Sequence, residues 1–248
     1  MAIANQKGGV GKTTTAINLG AALALAGKRI LLVDCDPQGN ASSGLGISGN
    51  PTFYDVLTQD ILPKEAIKTT VVKGLFCLPS APDFAGIEVE FLSLPRREYK
   101  LHECLSDLRS DYDFIFLDCP PSLGLITISA LTAADTVLIP IQCEYYALEG
   151  LAQLLKTIKL VKQRTNPRLK IEGFVLTMFD KRNSLSFQIE KEVRKHFKDY
   201  TFETVIPRNV RLSEAPSHGL PIFLYDAKCK GAQHYQALAI EFLKRNRG

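Results

Sequence analysis

Several kinds of segment are missing from this 248-residue sequence. No apolar run approaches the ~18 residues that a membrane-spanning helix needs, and no basic-apolar-cleavage pattern opens the chain, so a cytosolic protein is expected. The six cysteines include no C-x-x-C pair, which argues against a zinc site or a disulfide framework and for reduced, mostly buried thiols. There is no internal repeat, low-complexity tract or linker, and the length suits one α/β domain over residues 1–248.

Charge is distributed unevenly along the chain. Residues 1–150 carry 11 Lys+Arg against 17 Asp+Glu, whereas residues 151–248 carry 19 against 9. The net charge of +4 therefore conceals a basic C-terminal part on an acidic remainder. Such a division favours a polyanion-binding surface formed mainly by residues 151–248.

A glycine-rich stretch lies between a short apolar segment, 2–4, and an Ala/Leu-rich run, 15–26. Its residues are Lys7, Gly8, Gly9, Val10, Gly11, Lys12, Thr13 and Thr14. Strand, glycine loop and helix in this order form the frame of a phosphate-binding loop, because glycines let backbone N–H groups converge on an anion and the helix N-terminus adds its dipole. Lys12 is expected to reach the terminal phosphates and the Thr13 hydroxyl to ligate Mg²⁺. The loop is a variant, because Gln6 replaces the usual first glycine and Lys7 adds a second lysine.

Carboxylates follow two continuous apolar runs that are typical of buried strands. Asp34 and Asp36 follow the run 30–33, and Asp118 follows the run 114–117. In open α/β sheets, ligands bind at the carboxyl ends of the strands. Asp118 is therefore predicted to hold the Mg²⁺ shell through water. Either Asp34 or Asp36 could position the attacking water, and the spacing alone does not decide between them.

Apolar periodicity and turn residues predict alternating strands and helices. The predicted strands are 2–4, 30–33, 74–78, 114–117, 136–141 and 170–178, and an extended segment over 201–206 leads into Pro207. The predicted helices are 13–26, 52–57, 83–92, 99–108, 123–131, 148–164, 184–197 and 232–244. This alternation predicts an α/β fold with a doubly wound, mostly parallel central sheet and helices on both faces.

Four blocks of sequence together resemble the ParA/Soj family, the deviant-Walker P-loop ATPases that segregate chromosomes and plasmids. The blocks are the loop 7–14, DPQGN at 36–40, DCPPS at 118–122 and IPRNVRLSEAP at 206–216. The resemblance covers essentially the whole chain. The loop alone is shared with relatives of other function, and the later blocks point to the chromosome-partition branch.

The resemblance implies an ATPase that uses ATP and Mg²⁺ and has slow basal turnover. Lys7 would be the signature lysine that reaches the partner's ATP in a nucleotide-sandwich homodimer, and Gly8 would lie where the two subunits approach. Asp36, rather than Asp34, would be the hydrolytic carboxylate. Pro207 and Asn209 would line the adenine pocket.

The resemblance also implies partners. Arg182 and Arg211 fall where related proteins hold DNA phosphates without reading bases, and both lie in the basic segment. A ParB/Spo0J-type centromere-binding protein would stimulate hydrolysis, and the protein would be associated with the nucleoid. No membrane association is expected.

Related loops occur in proteins of other function, which remain alternatives. MinD, a membrane-associated division-site ATPase, has a C-terminal amphipathic anchor, whereas Ile240, Phe242 and Leu243 are expected to finish the last helix against the core. The iron–sulfur reductase branch would need a cysteine pair on the dimer axis, and Cys119 is expected to be a small buried residue. Small-molecule enzymes such as biotin-pathway ligases would need a second substrate pocket, which is not readable in the sequence.

Overall fold

The computed structural model describes residues 1–59, 61–144 and 147–246. In this part of the chain, the strands are β1 (Ala2–Ile3), β2 (Ile30–Asp34), β3 (Lys68–Thr69), β4 (Leu75–Leu78), β5 (Phe114–Asp118), β6 (Thr136–Gln142) and β7 (Lys170–Thr177). They form one sheet in the order β3-β4-β2-β5-β1-β6-β7. Every pairing is parallel except that of β3 with β4. The mostly parallel sheet is therefore confirmed, with an antiparallel edge strand that the sequence did not predict.

The first strand is short although it lies in the middle of the sheet. Ala2 and Ile3 are fully buried between β5 and β6. Backbone hydrogen bonds extend the pairing on both sides, since Leu117 donates to the Met1 carbonyl at 2.9 Å and Ala4 donates to the Leu138 carbonyl at 3.1 Å. These contacts fix the point at which the glycine loop leaves the sheet.

Helices cover both faces of the sheet, as the doubly wound prediction requires. The α-helices are α1 (Lys12–Leu25), α2 (Asn40–Gly44), α3 (Phe53–Thr58), α4 (Pro63–Ala66), α5 (Ile87–Glu90), α6 (Lys100–Leu105), α7 (Leu125–Ala133), α8 (Ala147–Arg164), α9 (Ser184–Phe197), α10 (Val210–Glu214), α11 (Ile222–Tyr225) and α12 (Lys230–Arg245). One core layer lies beneath α1 and α12. The other lies beneath α6, α7, α8 and α9. No helix in the described ranges is both long enough and apolar enough to span a bilayer.

Local signals placed several helix ends correctly. The chain leaves α1 through Gly27, whose φ of 86° suits a glycine after a helix. Thr52 caps α3, and the side chain of Asp55 accepts a hydrogen bond from the Thr52 backbone N–H at 2.7 Å. The predicted helix 83–92 is instead divided into a 3-10 turn, Pro82–Gly86, and the short α5. Pro82 and Gly86 bound that turn, and glycine disfavours a continuous helix.

The segment 201–206 forms no strand of the sheet. It touches β7 at single points, where Phe202 donates to the Phe174 carbonyl at 2.9 Å and Ile206 donates to the Leu176 carbonyl at 2.8 Å. Between these points the N–H groups of Glu203 and Thr204 donate to the Glu241 carboxylate at 2.8 and 2.9 Å. A side chain of α12 therefore takes the hydrogen bonds that a neighbouring strand would have taken.

The last helix packs on the core with only part of its apolar residues. Phe242 is buried, and Leu243 packs against the same core, as expected. Ile240 is 51% exposed, so the expectation that it would face the core is wrong. Position 240 lies two residues from Phe242, which on a helix places its side chain on a different face.

Candidate nucleotide site

The glycine loop connects β1 to α1 at the carboxyl edge of the sheet. Gly9 and Gly11 have φ values of 73° and 84°, in the left-handed region that favours glycine. Gly11 is the N-cap of α1 and supplies no side-chain hydrogen bond to the first turn. The N–H groups of that turn therefore remain available to an anion, and the helix dipole favours negative charge at the same place.

A cavity of about 360 Å³ opens above this helix end. The lining residues are Gly8, Gly9, Gly11, Lys12, Thr13, Thr14, Ile17, Asn18, Asp36, Asn40, Ser43, Pro121, Met178, Ala215, Pro216 and Leu220. Six of the eight predicted loop residues thus line one cavity with Asp36. Val10 is buried beneath the loop, and Lys7 points elsewhere.

Lys12 enters the cavity as a buried cation. It is 6% exposed, and its Nζ donates to the Lys7 carbonyl at 3.2 Å. Burial lowers the pKa of Lys12, while the negative charge of Asp118 acts in the opposite direction. A buried ammonium is stabilised by a nearby anion, so the cavity favours a negatively charged ligand.

Asp118 is the least compensated charge in the site. It ends β5, is fully buried, and neither carboxylate oxygen has a hydrogen-bond partner in the described part of the chain. Burial, followed by the charge of Asp34, raises the pKa of Asp118 well above its usual range, and Thr13 and Lys12 act in the opposite direction. Two free oxygens beside the Thr13 side chain fit a hydrated Mg²⁺ ion, because this ion takes oxygen ligands and keeps several waters.

Asp34 and Asp36, which the spacing could not separate, have different surroundings. The carboxylate of Asp34 accepts hydrogen bonds from Ser42, at 2.8 Å from the backbone N–H and 2.6 Å from the hydroxyl. It also accepts the Asp36 N–H at 3.2 Å. Asp36 itself lines the cavity and accepts one hydrogen bond, from the Gln38 N–H at 3.0 Å. Asp34 is therefore engaged in shaping the loop, and Asp36 is the carboxylate that faces the phosphate cavity.

A second cavity, of about 390 Å³, adjoins the first and shares Gly11, Thr14, Met178 and Pro216 with it. The residues of the sequence block at 206–216 that line it are Ile206, Pro207, Arg208, Asn209, Val210, Leu212, Ser213 and Pro216. The Asn209 Oδ1 atom is buried and has no partner among the described residues. This space, lined by both apolar and polar side chains and containing an unpartnered amide oxygen, fits a nucleobase next to the phosphate cavity.

Lys7 forms an ion pair within the chain. Its Nζ lies 3.2 Å from Glu144 Oε2, and the other carboxylate oxygen lies 3.6 Å from an Arg208 nitrogen. The side chain of Lys7 is only 32% exposed. Next to it, a Cβ built on Gly8 would meet Pro121 at 3.7 Å, an ordinary contact. The chain itself therefore has room for a Cβ at position 8.

The two predicted DNA-binding arginines lie on the surface and pair with carboxylates. Arg182 contacts Asp180 through Nε at 3.1 Å and a terminal nitrogen at 2.9 Å. The guanidinium lowers the pKa of Asp180 to about 2. Arg211 lies 2.8 Å from Glu214 and 3.6 Å from Asp226. The structure thus places both arginines in ion pairs outside the nucleotide cavities.

Sequence reasoning missed several residues that the fold brings to the site. Asn18 lines the phosphate cavity, donates to the Thr14 carbonyl at 2.8 Å and accepts the Ile222 N–H at 2.8 Å. Met178 lines both cavities, and Glu144 pairs with Lys7. An asparagine inside a helix and a methionine after a strand give no local signal. Asn40 could have been found, because it ends the block that begins at Asp36.

Comparison with known proteins agrees with this geometry. A family model described as an AAA domain matches residues 1–171. The cobyrinic acid a,c-diamide synthase of Mycobacterium smegmatis, solved with ADP and magnesium, has a TM-score of 0.85 and 39% identity, with 98% of this chain and 93% of that chain covered. MinD of Pyrococcus horikoshii, solved with Mg-ADP, has a TM-score of 0.82 and 31% identity, with 97% and 93% covered. Fold and loop thus define a P-loop nucleotide-binding protein.

Two curated relatives narrow this class. The chromosome partitioning protein ParA of Myxococcus xanthus is 56% identical over 247 residues, covering 98% of this chain and 87% of the relative. The sporulation initiation inhibitor protein Soj of Bacillus subtilis is 56% identical over 244 residues, covering 97% and 96%. The chain belongs to the ParA/Soj family of chromosome-partitioning ATPases, and the predicted family is confirmed.

Proposed function

We propose that this protein is an ATP-dependent partitioning ATPase whose nucleotide state controls pairing of two copies and binding to DNA. The observation that carries the proposal is the uncompensated charge in the phosphate cavity. Lys12 is buried beside the free N-terminus of α1, and neither oxygen of the buried Asp118 has a hydrogen-bond partner among the described residues. A nucleoside triphosphate with Mg²⁺ supplies the anion and the cation that these groups lack.

A few residues at the two cavities carry the proposed hydrolysis of ATP. Lys12 and the N–H groups of the loop bind the phosphates, and Thr13 ligates Mg²⁺. Asp118 would hold the hydrated ion through water. A bound Mg²⁺ would supply positive charge that neutralises charge developing on the phosphates. Asp36 positions the attacking water and accepts its proton, while Pro207 and Asn209 contact the adenine.

Lys7 connects nucleotide binding to pairing of two subunits. In the isolated subunit it is compensated by Glu144 at 3.2 Å. In a face-to-face homodimer with ATP between the subunits, Lys7 exchanges this carboxylate for the phosphates of the partner's nucleotide and assists hydrolysis there. The exchange is favourable because triphosphate carries more negative charge than one carboxylate.

Pairing makes DNA binding depend on ATP. Arg182 and Arg211 contact phosphates of double-stranded DNA without reading bases, and a dimer presents two copies of the basic surface formed mainly by residues 151–248. Each phosphate contact releases counterions, so binding weakens steeply with salt. We place the protein in the cytoplasm, associated with the nucleoid. A ParB-type centromere-binding partner stimulates an otherwise slow hydrolysis and resets the cycle.

Gel filtration of the Asp36→Ala variant with ATP tests this proposal, with and without duplex DNA of arbitrary sequence. Loss of the water-positioning carboxylate is expected to reduce turnover by about 100-fold or more while leaving ATP binding intact. The variant should therefore elute as a stable dimer and move to a larger size with DNA. A variant that hydrolyses ATP at the normal rate would contradict the role of Asp36.

The double variant Gly8→Val/Asp36→Ala is the matched control for pairing. A Cβ at position 8 meets only an ordinary contact within the chain, so the added valine is expected to act mainly by preventing the dimer, and calorimetric titration with Mg-ATP measures whether ATP binding is kept. Elution of this variant as a dimer with ATP would remove the face-to-face arrangement from the proposal.

A further inference from the structure

The end of β7 touches the phosphate loop from beneath. Thr177, the last residue of β7, is 2% exposed, and its hydroxyl donates to the Val10 carbonyl at 2.8 Å. The two residues are 167 positions apart in the chain. This contact links the loop to a strand that contributes no residue of the four sequence blocks.

The hydrogen bond acts on the peptide between Val10 and Gly11. In a planar trans peptide the C=O and the following N–H point in opposite directions. A donor that holds the Val10 carbonyl towards β7 therefore turns the Gly11 N–H away from β7 and keeps it available to an anion. Gly11 has a φ of 84° and lines both cavities, so this peptide lies where the nucleotide binds. Left-handed glycines adopt several orientations easily, and a flip would remove one donor.

The two residues after Thr177 connect the same point to the second cavity. Met178 has a φ of 50°, a strained conformation for a residue with a side chain, and it lines both cavities. Phe179 donates to the Ile206 carbonyl at 3.0 Å and accepts the Arg208 N–H at 3.1 Å. Strain of this kind persists where the surroundings impose it, and here bonds on either side of Met178 do so.

We propose that Thr177 is a positioning residue for nucleotide binding: its hydroxyl fixes the Val10–Gly11 peptide so that the Gly11 N–H faces the phosphates. The inference rests on the proposed binding of ATP at this loop. Thr177 also lines the second cavity, but its hydroxyl is engaged by the Val10 carbonyl. It acts through the loop, and it needs the hydroxyl rather than the volume of the side chain.

The test compares Thr177→Val with Thr177→Ser in the full chain by calorimetric titration with Mg-ATP. Valine keeps the shape of the threonine side chain and removes its hydroxyl. The Val10 carbonyl then loses this hydrogen bond, and the Val10–Gly11 peptide is free to turn. The expected result is about tenfold weaker ATP binding, the scale of one buried hydrogen bond. Serine keeps the hydroxyl and should bind ATP within about twofold of the unchanged protein.

Thr201→Val is the matched control. Thr201 is also 2% exposed, and its hydroxyl donates to the Phe197 carbonyl at 2.8 Å, but it lines neither cavity. Its loss should lower the melting temperature much as Thr177→Val does and leave ATP affinity unchanged. In steady-state hydrolysis, Thr177→Val should raise KM and leave kcat within about twofold, because the missing interaction serves binding.

The outcomes separate this inference from the proposed function. If Thr177→Val binds ATP like the unchanged protein, or if Thr177→Ser fails to restore binding, the positioning role is wrong. If the unchanged protein binds no Mg-ATP, the proposed function fails instead. Thr177→Ala, which removes the same hydroxyl without a β-branch, replaces the valine variant if that variant does not fold.

Discussion

Charged groups in the nucleotide cavity and on the basic surface differ in whether another group of the protein pairs with them. In the cavity, Asp118 is fully buried and neither oxygen has a hydrogen-bond partner in the described ranges. On the surface, the side chain of Arg182 is 87% exposed and contacts Asp180 at 2.9 Å. Arg211 likewise contacts Glu214. Among the described residues, the buried carboxylate has no hydrogen-bond partner, and the exposed arginines are paired.

Under the proposed function, this difference predicts how each region would bind its ligand. A buried charge without a partner raises the free energy of the empty site, so a ligand that supplies the missing charge binds tightly and in one geometry. An exposed ion pair contributes about 0–1 kcal/mol, so phosphate can replace the carboxylate at little cost. The cavity is therefore suited to a specific nucleotide, and the surface to reversible contacts that depend on salt.

The largest expected effect is on the cavity side of this comparison. Lys12→Ala should weaken ATP binding by about 100-fold or more, because loss of one partner of a buried charge pair costs about 3–5 kcal/mol. Isothermal titration with Mg-ATP measures the effect.

Lys28→Ala is the matched control, since Lys28 forms an exposed pair with Asp113 at 3.3 Å. The loss of this lysine should change ATP affinity less than twofold. Retained ATP affinity in Lys12→Ala would contradict the role of the loop.

The next effect concerns stability of the nucleotide-free protein. Burial raises the pKa of Asp34 to about 6, from 3.8. The folded state then binds the proton more tightly than the unfolded chain, so the contribution of Asp34 is greatest below about pH 4 and falls as pH rises through 6. The loss is about 3 kcal/mol, at 1.36 kcal/mol per pKa unit. Urea unfolding at pH 4.5 and 7.5, which lie on either side of the folded pKa of about 6, measures most of this loss.

Asp34→Asn isolates this contribution. Asparagine does not titrate, so any deficit in the unfolding free energy of the variant should shrink as pH rises from 4.5 to 7.5. Asp113→Asn is the control with the opposite sign, because the Arg29 backbone N–H lowers the pKa of the exposed Asp113. A deficit in Asp34→Asn that grows with pH would show that the carboxylate is charged in the folded protein throughout this range.

The smallest effect is expected on the basic surface. Arg211→Glu should weaken binding to duplex DNA several-fold in the presence of ATP and spare ATP binding. The slope of log affinity against log salt should become shallower by about one for each DNA phosphate that the variant no longer neutralises. Fluorescence anisotropy with two unrelated duplexes over a series of salt concentrations measures both quantities. A weakening that differs between the two sequences would indicate base readout.

Asp180→Asn sharpens the same comparison. The substitution removes the carboxylate that pairs with Arg182 at 2.9 Å. DNA binding should become slightly stronger, because a DNA phosphate no longer has to displace Asp180 from Arg182. Unchanged or weaker binding would mean that Asp180 orients Arg182 for DNA instead of competing with it.

The loop and the strand-end acids could be predicted because their signals are local. The loop glycines, Lys12 and Thr13 are neighbours in the sequence. A buried strand is recognised from a continuous apolar run, and the run 114–117 is followed by Asp118. The hydrogen bonding of the segment 201–206 has no such local signal. Its bonds go to Glu241, 37 or 38 positions away, and nothing within the segment indicates this.

The assignment of roles to the aspartates also needed distant residues. Asp34 and Asp36 have the same residue type and are separated by one position, and the family resemblance alone favoured Asp36. Ser42, on α2, accounts for their difference by donating two hydrogen bonds to Asp34. Similarly, the sequence shows only that Lys7 belongs to the loop. Its pairing with Glu144 arises because β1 lies beside β6 in the sheet.

The amino-acid sequence by itself determined the strand–loop–helix unit, the acids at the ends of β2 and β5 and the doubly wound class, because each depends on neighbours along the chain. The tertiary structure decided which charges have partners. Neither Asp118 oxygen has a hydrogen-bond partner among the residues that the structure describes, Lys7 and Arg182 pair with carboxylates, and Thr177 reaches Val10 from the far end of β7. Whether a charge or a carbonyl is satisfied depends on residues that only folding brings within hydrogen-bond distance.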